Sequence, residues 1–214
     1  QLILEAGFYE PILTAIGQKI PTSDARILDI GCGEGYYSRK LQEAYPEATF
    51  YAFDLSKESV QLAAKSDASW KVNWFVGDLA HLPIQSKSME VILDIFSPAN
   101  YAEFERVLKA EGVIIKVVPT SSHLKEIRQL AQEQLTKQSY SNQEILVHFE
   151  DHCQILSSET VSLTKSLTPE ERQALLAMTP LLFHVDQEKI DWTQLTEITI
   201  EAQILVGKIK IQRT

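Results

Sequence analysis

The chain has 214 residues, 44% of them apolar, and 29 acidic against 20 basic side chains give a net charge of -9. This length suits one domain with an insertion, or one and a half domains. The negative charge has the wrong sign for a chain that grips nucleic acid through phosphates alone, unless a local basic patch or a basic segment outside this sequence helps. The sequence also has no run of about 18 apolar residues and no signal peptide, which predicts no membrane contact.

The two cysteines, Cys32 and Cys153, bound the chemistry further. They are too few for a disulfide framework or a four-cysteine zinc site, so no metal is expected within these residues. A reducing, cytoplasmic location is the expectation. The sequence opens without an initiator Met and already in a helical pattern. This start predicts a fragment whose N-terminus has been removed.

Residues 1–24 predict an N-terminal helical segment. Apolar residues from Leu2 to Ile16 recur at helical spacing, and Pro11 marks a kink or a join between two helices. Pro21 then ends the pattern. The main domain is expected to span residues 25–214.

Short β-forming runs alternate with helical patterns through the next hundred residues. The predicted strands are residues 26–30, 49–53, 71–76, 89–96 and 112–118, and the predicted helices are 36–45, 56–66 and 101–108. Such alternation predicts a Rossmann-like α/β fold, with a doubly wound, mostly parallel sheet and helices on both faces.

The second half predicts an antiparallel addition to this sheet. A helix is expected over 124–137, a strand over 159–167 and a long β-forming tail over 196–211. Between the two strands, Thr168-Pro-Glu-Glu171 has the pattern of a capped helix start within an insert at about 168–192. The two late strands are expected to form an edge hairpin that brings the sheet to seven strands.

The stretch LDIGCGEG places three glycines, Gly31, Gly33 and Gly35, directly after the first strand. Glycine permits positive φ and lets a ligand approach the backbone, and ligands of such sheets bind at the strand ends. The spacing differs from the G-x-G-x-x-G of pyrophosphate binders, and Glu34 would repel a diphosphate. A ligand without phosphates and with a cationic amine fits better, and Asp29 is the candidate acceptor for that amine.

Two more strand ends supply the rest of the ligand. Asp54, followed by Leu55, ends the second strand, where a carboxylate accepts both hydroxyls of a ribose. Asp78 ends the third strand and is placed to accept an adenine amine, with Leu79 covering the ring. Each residue alone is typical of an ordinary turn or cap. Their conjunction in this order predicts S-adenosylmethionine (SAM), which combines an amino acid, a ribose and an adenine.

These stretches resemble the motifs of a known family. LDIGCGEGYY, AFDLS and VGDLAHLP resemble the first three motifs of class I SAM-dependent methyltransferases, and RVLKAEGVII resembles their fifth-strand region. Together with EAGFYEPI, SSHLKEI and LLAMTPLLFH they resemble the bacterial large-subunit ribosomal RNA (guanine-N1-)-methyltransferases. The resemblance covers nearly the whole chain and is looser after about Asn142.

The resemblance implies further roles. It places Tyr9 and His123 at the SAM pocket, although Phe8 stands where the family has a histidine, and it includes the Gly33-Glu34 pair of the loop. It implies a ribosomal RNA hairpin as substrate and a homodimer. The family's zinc ribbon is absent, so zinc is expected only in a missing N-terminal segment. A link to macrolide resistance belongs to one branch of the family.

The sequence indicates less clearly which residues bind the methyl acceptor. The chain lacks the N-P-P-Y or D-P-P-Y signature of exocyclic-amine methylation, which favours a ring nitrogen. Asp94, near the end of the fourth strand, is the candidate base, with a salt-bridged carboxylate as the alternative. Phe96 and Phe183 are candidate stacking platforms, with core packing as the alternative. Four basic residues are candidates for an RNA groove or else solvated surface: Arg39, Lys40, Lys125 and Arg128.

Two other classes stay open. A methyltransferase for a quinone-like or other small molecule fits the acidic charge and the breadth of the superfamily. A deep apolar pocket would favour it, whereas an open groove would count against it. A non-catalytic subunit that activates a partner is the other alternative, and the intact loop and ligand aspartates speak against it.

Overall fold

The computed structural model describes residues 2–135 and 142–210 of the chain. Its helices are α1 (Leu2–Glu5), α2 (Glu10–Gln18), α3 (Tyr36–Ala44), α4 (Lys57–Ser66), α5 (Tyr101–Val107), α6 (Lys125–Leu130), α7 (Gln143–His152) and α8 (Pro169–Ala177). Its strands are β1 (Arg26–Ile30), β2 (Thr49–Asp54), β3 (Asn73–Val76), β4 (Met89–Ile95), β5 (Leu108–Pro119), β6 (Cys153–Ser166) and β7 (Glu197–Ile209).

The described strands form one seven-stranded sheet in the order β3-β2-β1-β4-β5-β7-β6. The first five strands run parallel, and β7 runs antiparallel to both β5 and β6. The sequence prediction of a mostly parallel, doubly wound sheet with an antiparallel edge hairpin is therefore confirmed. The chain reverses its winding between β1 and β4, which is where open α/β sheets bind ligands.

Among the described residues, the buried apolar side chains form two clusters, and the neighbouring β1 residues Ile27 and Leu28 belong to different ones. Ile3 of α1 and Ile12 of α2 belong to the same cluster as Ile27, so the N-terminal helices pack into the core. Pro11 lies in the first turn of α2, where its missing N–H costs no hydrogen bond, and the predicted join between two helices is confirmed.

Two of the predicted helix starts have the expected hydrogen bonds. The Ser56 side chain accepts from the Ser59 N–H at the start of α4. At α8, the Thr168 hydroxyl accepts from the Glu171 N–H, and the Glu171 carboxylate accepts from the Thr168 N–H. This reciprocal pair satisfies two N–H groups that the helix itself leaves unpaired.

Several boundaries differ from the sequence prediction. The predicted helix over 124–137 is α6 alone, because residues 131–135 form turns, and residues 136–141 lie outside the described part. In those turns the Gln132 and Gln134 N–H groups bond three residues back. The strand predicted over 159–167 begins at Cys153, because its pairing with β7 extends to Ile209. No helix separates β3 from β4, and none is predicted between residues 76 and 89.

Candidate functional site

The glycine loop, residues 31–35, lies at the C-terminal end of β1. Gly31, Gly33 and Gly35 have φ angles of 62°, 54° and 75°, a region that disfavours other residues. A Cβ on Gly31 would lie 2.5 Å from the Ser97 hydroxyl oxygen, so the Ser97 side chain would have to move to make room for it. A Cβ on Gly33 would meet nothing within 4 Å. The bare backbone at Gly33 therefore faces open space in which a ligand can lie.

Asp54, at the end of β2, holds this loop in place. Its Oδ2 accepts from the Gly33 N–H at 2.9 Å, and its Oδ1 accepts from the Ser56 N–H at 2.9 Å. A carboxylate has about four acceptor positions, so each oxygen keeps a lone pair for a further donor. Asp54 thus joins the loop to α4 and retains the capacity to accept two hydroxyls.

Asp29 lies beneath the loop and is 2% exposed. The Ser38 hydroxyl of α3 donates to its Oδ2 at 2.6 Å. Burial raises the pKa of Asp29 to about 7, and Ser38 opposes part of this rise. A cation bound at the loop would favour the ionised carboxylate.

The remaining predicted loop and adenine residues are more exposed. Glu34 is half-buried within the loop. Asp78 is exposed just beyond β3, where its Oδ1 accepts from the Ala80 N–H at 2.9 Å, and Leu79 beside it is half-buried. Leu55 is 75% exposed. The carboxylates of Asp54 and Asp78 therefore follow neighbouring parallel strands, which places both at the same edge of the sheet.

Tyr9, Phe96 and His123, which are far apart in sequence, form one aromatic cluster. The Phe96 and His123 rings stack with centroids 5.9 Å apart, and Tyr9 meets both edge-on at 6.2 and 6.3 Å. His123 Nδ1 accepts from the Glu201 N–H at 3.2 Å, and burial lowers the His123 pKa to about 4. The imidazole is therefore neutral at pH 7, with its proton on Nε2. Burial also raises the pKa of Tyr9 to about 12.

Phe96 lies between two apolar cavities. Its φ of +53° is rare for a large side chain, and such strained backbone tends to occur at functional sites. The β4–β5 cavity has a volume of about 570 Å³ and is bounded by residues 96–99 after β4, by residues 116–119 of β5, and by α7. The α6–α8 cavity has a volume of about 490 Å³ and includes Tyr9 and His123 in its lining.

A buried ion pair lies at the base of the β4–β5 cavity. Lys116 Nζ of β5 donates to Asp94 Oδ2 of β4 at 2.8 Å and to the Ser97 carbonyl oxygen at 3.2 Å. Burial raises the pKa of Asp94 to about 6, and the Lys116 ammonium opposes this rise. Lys116 lines the cavity, whereas Asp94 is 0% exposed and does not. The geometry is thus that of the salt-bridged alternative, and the role of Asp94 as base stays a prediction.

Lys116 was not among the site residues predicted from the sequence. Its signal is a single cation inside the apolar run GVIIKVV, because a lysine inside a central strand requires a partner. Phe183 is 67% exposed and lines neither cavity around Phe96. Its predicted stacking role therefore has no support from the aromatic cluster.

The basic residues predicted for an RNA groove divide into two pairs. On α3, Arg39 and Lys40 both pair with Glu5, at 3.0 and 3.7 Å. On α6, Lys125 is exposed, and Arg128 lines the α6–α8 cavity and donates to the Ser121 carbonyl. The second pair is therefore closer to the candidate site.

In residues 2–135 and 142–210, no three His, Cys, Asp or Glu side chains are grouped to hold a metal ion. Within the same residues, none of the helices has the length and apolar character needed to cross a membrane.

The strand order, the glycine loop at the switch point and the carboxylates at the next two strand ends define a class of enzyme. A family model described as a methyltransferase domain matches residues 27–112. This match, together with the relatives described next, shows that the chain belongs to the class I SAM-dependent methyltransferases.

Individual relatives show which methyltransferases this chain resembles in sequence. The chain is 35% identical to a Bacillus subtilis protein named "Putative 23S rRNA (guanine-N(1)-)-methyltransferase YxjB", over 97% of this chain and 77% of the relative. It is 24% identical to the 23S rRNA (guanine(748)-N(1))-methyltransferase of Streptomyces fradiae, over 88% of this chain and 68% of that one. The fold is shared with a solved SAM-dependent methyltransferase of Aquifex aeolicus, with a TM-score of 0.55, 16% identity and 71% and 83% of the two chains covered.

Proposed function

We propose that this enzyme transfers a methyl group from SAM to N1 of a guanine in a hairpin of large-subunit ribosomal RNA. The similarity to relatives named for this reaction supports the proposal over 97% of the chain. The observation that carries it is the contact between the glycine loop and the β4–β5 cavity. Ser97 lines the cavity, and its hydroxyl lies 3.5 Å from the Gly31 carbonyl oxygen, so cofactor and acceptor would meet there.

The residues around the loop fit SAM. Gly33 faces open space, Asp54 keeps lone pairs for the ribose hydroxyls, and the buried Asp29 would gain a cationic amine as partner. Asp78 and Leu79 would bind the adenine, with Leu55 beside the ribose. Tyr9 and His123 would border the methionine end. Bound SAM supplies a methyl group on a sulfonium, which is an excellent leaving group.

The chain's own task is mainly positioning. A displacement at carbon requires the attacking nitrogen in line with the breaking bond, and alignment supplies much of the rate enhancement. Phe96 lies at the boundary of both cavities and offers a ring face on which a splayed-out base can stack. Phe183 stays a second candidate for that contact. Guanine N1 carries a proton that must leave before the nitrogen attacks.

The domain boundaries, the oligomeric state and the location are also proposals. They place a helical segment at residues 1–24 and the methyltransferase domain at 25–214, with an insert at about 168–192. They also include a homodimer, which light scattering of the purified protein would test. A cytoplasmic location follows from the proposed ribosomal substrate.

The reaction is tested with labelled SAM and large-subunit ribosomal RNA that lacks the modification. A methyl on guanine N1 blocks Watson–Crick pairing, so reverse transcriptase stops beside it. We expect label in the RNA and a new stop at one hairpin guanine. Label in the RNA without a stop would show methylation at a position that leaves pairing intact and would contradict the guanine-N1 assignment.

A small-molecule acceptor is the second candidate. The observation that favours it is the β4–β5 cavity itself, because about 570 Å³ of largely apolar space matches the size of small-ligand sites. The net charge of -9 is also unfavourable for RNA. If the enzyme puts label into a compound of a small-molecule extract and puts none into ribosomal RNA, this alternative is correct.

A further inference from the structure

The β4–β5 cavity has a polar group at its base that none of the roles above uses. Apart from Lys116, its lining includes apolar or aromatic side chains such as Phe96, Tyr101 and Ile145. Lys116 is only 3% exposed, yet it reaches this lining from the middle of a central strand. A buried ammonium is costly unless it is paired, so its retention in the cavity wall calls for an explanation.

Within the described part of the chain, the hydrogen bonds of Lys116 use two of its three N–H donors. An ammonium has three N–H donors, and two of them go to Asp94 Oδ2 and to the Ser97 carbonyl oxygen. The other carboxylate oxygen, Asp94 Oδ1, is buried and has no hydrogen-bond partner among the described residues. The pair therefore combines a donor at the cavity wall with a spare acceptor behind it.

The same pair is connected to the cofactor side. Lys116 bonds the carbonyl oxygen of Ser97, and the hydroxyl of Ser97 lies against the Gly31 carbonyl. Asp94 also lies beside Ile30, the residue just before the glycine loop, in the register of β4 with β1. An acceptor in contact with Lys116 would thus lie next to the methyl donor. The direct access of Asp94 to an acceptor is blocked, because Asp94 is fully buried.

We propose that Lys116 is the group that takes the proton from the acceptor nitrogen, and that it passes one of its own protons to Asp94. This inference rests on the proposed guanine-N1 reaction. Lys116 Nζ first gives one N–H proton to Asp94 Oδ2, along their hydrogen bond, and becomes a neutral amine with a lone pair. Rotation about the Cε–Nζ bond turns this lone pair toward the acceptor, and the amine then takes the N1–H proton. Lys116 is again an ammonium, Asp94 is a neutral acid, and the guanine is an anion beside the ammonium.

The transfer then proceeds with balanced charge. The N1 lone pair forms the bond to the methyl carbon, while the carbon–sulfur bond breaks and its electron pair stays on sulfur. The products are a neutral N1-methylguanine and a neutral thioether, and the proton on Asp94 returns to solvent after product release. Lys116 is the catalytic residue in this scheme, and Asp94 positions it and stores the proton.

The surroundings of the pair are suited to proton transfer. Burial raises the pKa of Asp94 to about 6, which brings the carboxylate closer to the acceptor's acidity than an exposed aspartate. Other titratable groups face the pair or share its cavity: Asp29 of β1, Tyr101 of α5, Glu144 and His148 of α7, and Cys153 of β6. The test must therefore separate Lys116 and Asp94 from these groups.

The experiment compares K116M with K109M in labelled methyl transfer to ribosomal RNA. Lys109 lies at the other end of the same strand and pairs with Glu90 at the surface, so it is a matched control. We expect K116M to lose about 100-fold or more in the single-turnover rate, the range typical of lost acid–base catalysis, while calorimetry shows unchanged SAM affinity. K109M should keep the wild-type rate.

The pH profile distinguishes a proton-transfer role from a structural one. The wild-type rate should be nearly constant above about pH 7. The residual rate of K116M should rise about tenfold per pH unit toward the pKa of free guanine N1, near 10, because ionisation then occurs in solution. If Lys116 had a purely structural role, K116M would lower the rate equally at every pH, and this result would overturn the proposal. A K116M variant with the wild-type rate would overturn it as well.

A second variant distinguishes the loss of proton transfer from misfolding of K116M. K116M leaves the Asp94 carboxylate buried without its cation, whereas K116M/D94N removes both charges and should retain SAM binding and the steep pH profile. In folded K116M without SAM, carboxyl NMR should show a raised Asp94 pKa, since the opposing ammonium is gone. If the wild-type protein puts no label into RNA, the proposed function fails and this inference fails with it.

Discussion

At the scale of single residues, the most informative side chain of the cofactor site is Asp29. Its carboxyl is buried, and its pKa is raised to about 7. Below that pH the carboxyl is mostly protonated in the free protein, so a cationic amine must displace a proton in order to bind. SAM affinity should therefore rise from pH 5 to about 7.

The D29N variant tests this explanation. An amide cannot ionise, so the pH dependence should disappear, and at pH 8 the dissociation constant should rise about tenfold or more through loss of a charge-assisted hydrogen bond. Calorimetric titration at five pH values measures both effects. D24N, in an exposed loop, is the control and should behave as wild type. A pH slope that persists in D29N would assign the proton to another group.

Gly33 permits a separate test of the loop. G33A places a methyl group in space that holds no protein atom within 4 Å, but at a φ of 54° it costs about 1–2 kcal/mol. We expect a modest fall in melting temperature and a loss of SAM affinity of about tenfold or more, because the methyl group occupies the proposed ligand space. Unchanged SAM affinity in folded G33A would place the ligand elsewhere.

At the scale of elements, α8 supports the α6–α8 cavity, because Leu175 of the helix lines it. T168A removes the hydroxyl that accepts from the Glu171 N–H, and a lost cap costs about 1 kcal/mol. For a chain of this size the melting temperature should fall by about 2–4 °C. T168S keeps a hydroxyl and should be nearly neutral. Methyl transfer at 25 °C should be unaffected in both, and a large activity loss would show that the cap also shapes the site.

The helices and strands also show which sequence patterns were sufficient to predict an element. The parallel strands were predictable because each is a short apolar run that begins or ends at a turn, as at β1. The helix α7 was missed, although Ile145, Leu146 and Phe149 recur at helical spacing after Asn142. Leu146 and Phe149 pack on the core, whereas Ile145 lines the β4–β5 cavity and Val147 is exposed, so the apolar residues of the helix do not all lie on its buried face.

At the scale of the whole molecule, the order of strands turns local motifs into one site. The sequence predicted which strand ends carry Gly31, Asp54 and Asp78, because parallel strands present their C-terminal ends on one edge. It did not predict the pairing of Asp94 with Lys116. That pair depends on β4 lying beside β5 in one register, which no local pattern encodes. The aromatic cluster is a similar case, since family resemblance, rather than spacing, drew attention to Tyr9 and His123.

The charge of the whole molecule leads to a prediction about RNA binding. Arg39 and Lys40 share the single carboxylate of Glu5, whereas Lys125 is exposed and Arg128 lines the α6–α8 cavity. Lys125 and Arg128 are therefore the main candidates for phosphate contacts near the candidate site. Two contacts give a slope of log affinity against log salt of about -1.4 to -1.8. In filter binding of the ribosomal RNA hairpin, K125Q should reduce the slope by about 0.7–0.9 units and weaken the binding of all RNA sequences alike.

K65Q, on the exposed face of α4, is the matched control and should leave the slope unchanged. A wild-type slope steeper than about -4 would require at least twice as many phosphate contacts as these two residues supply, and the RNA surface would then have to lie elsewhere.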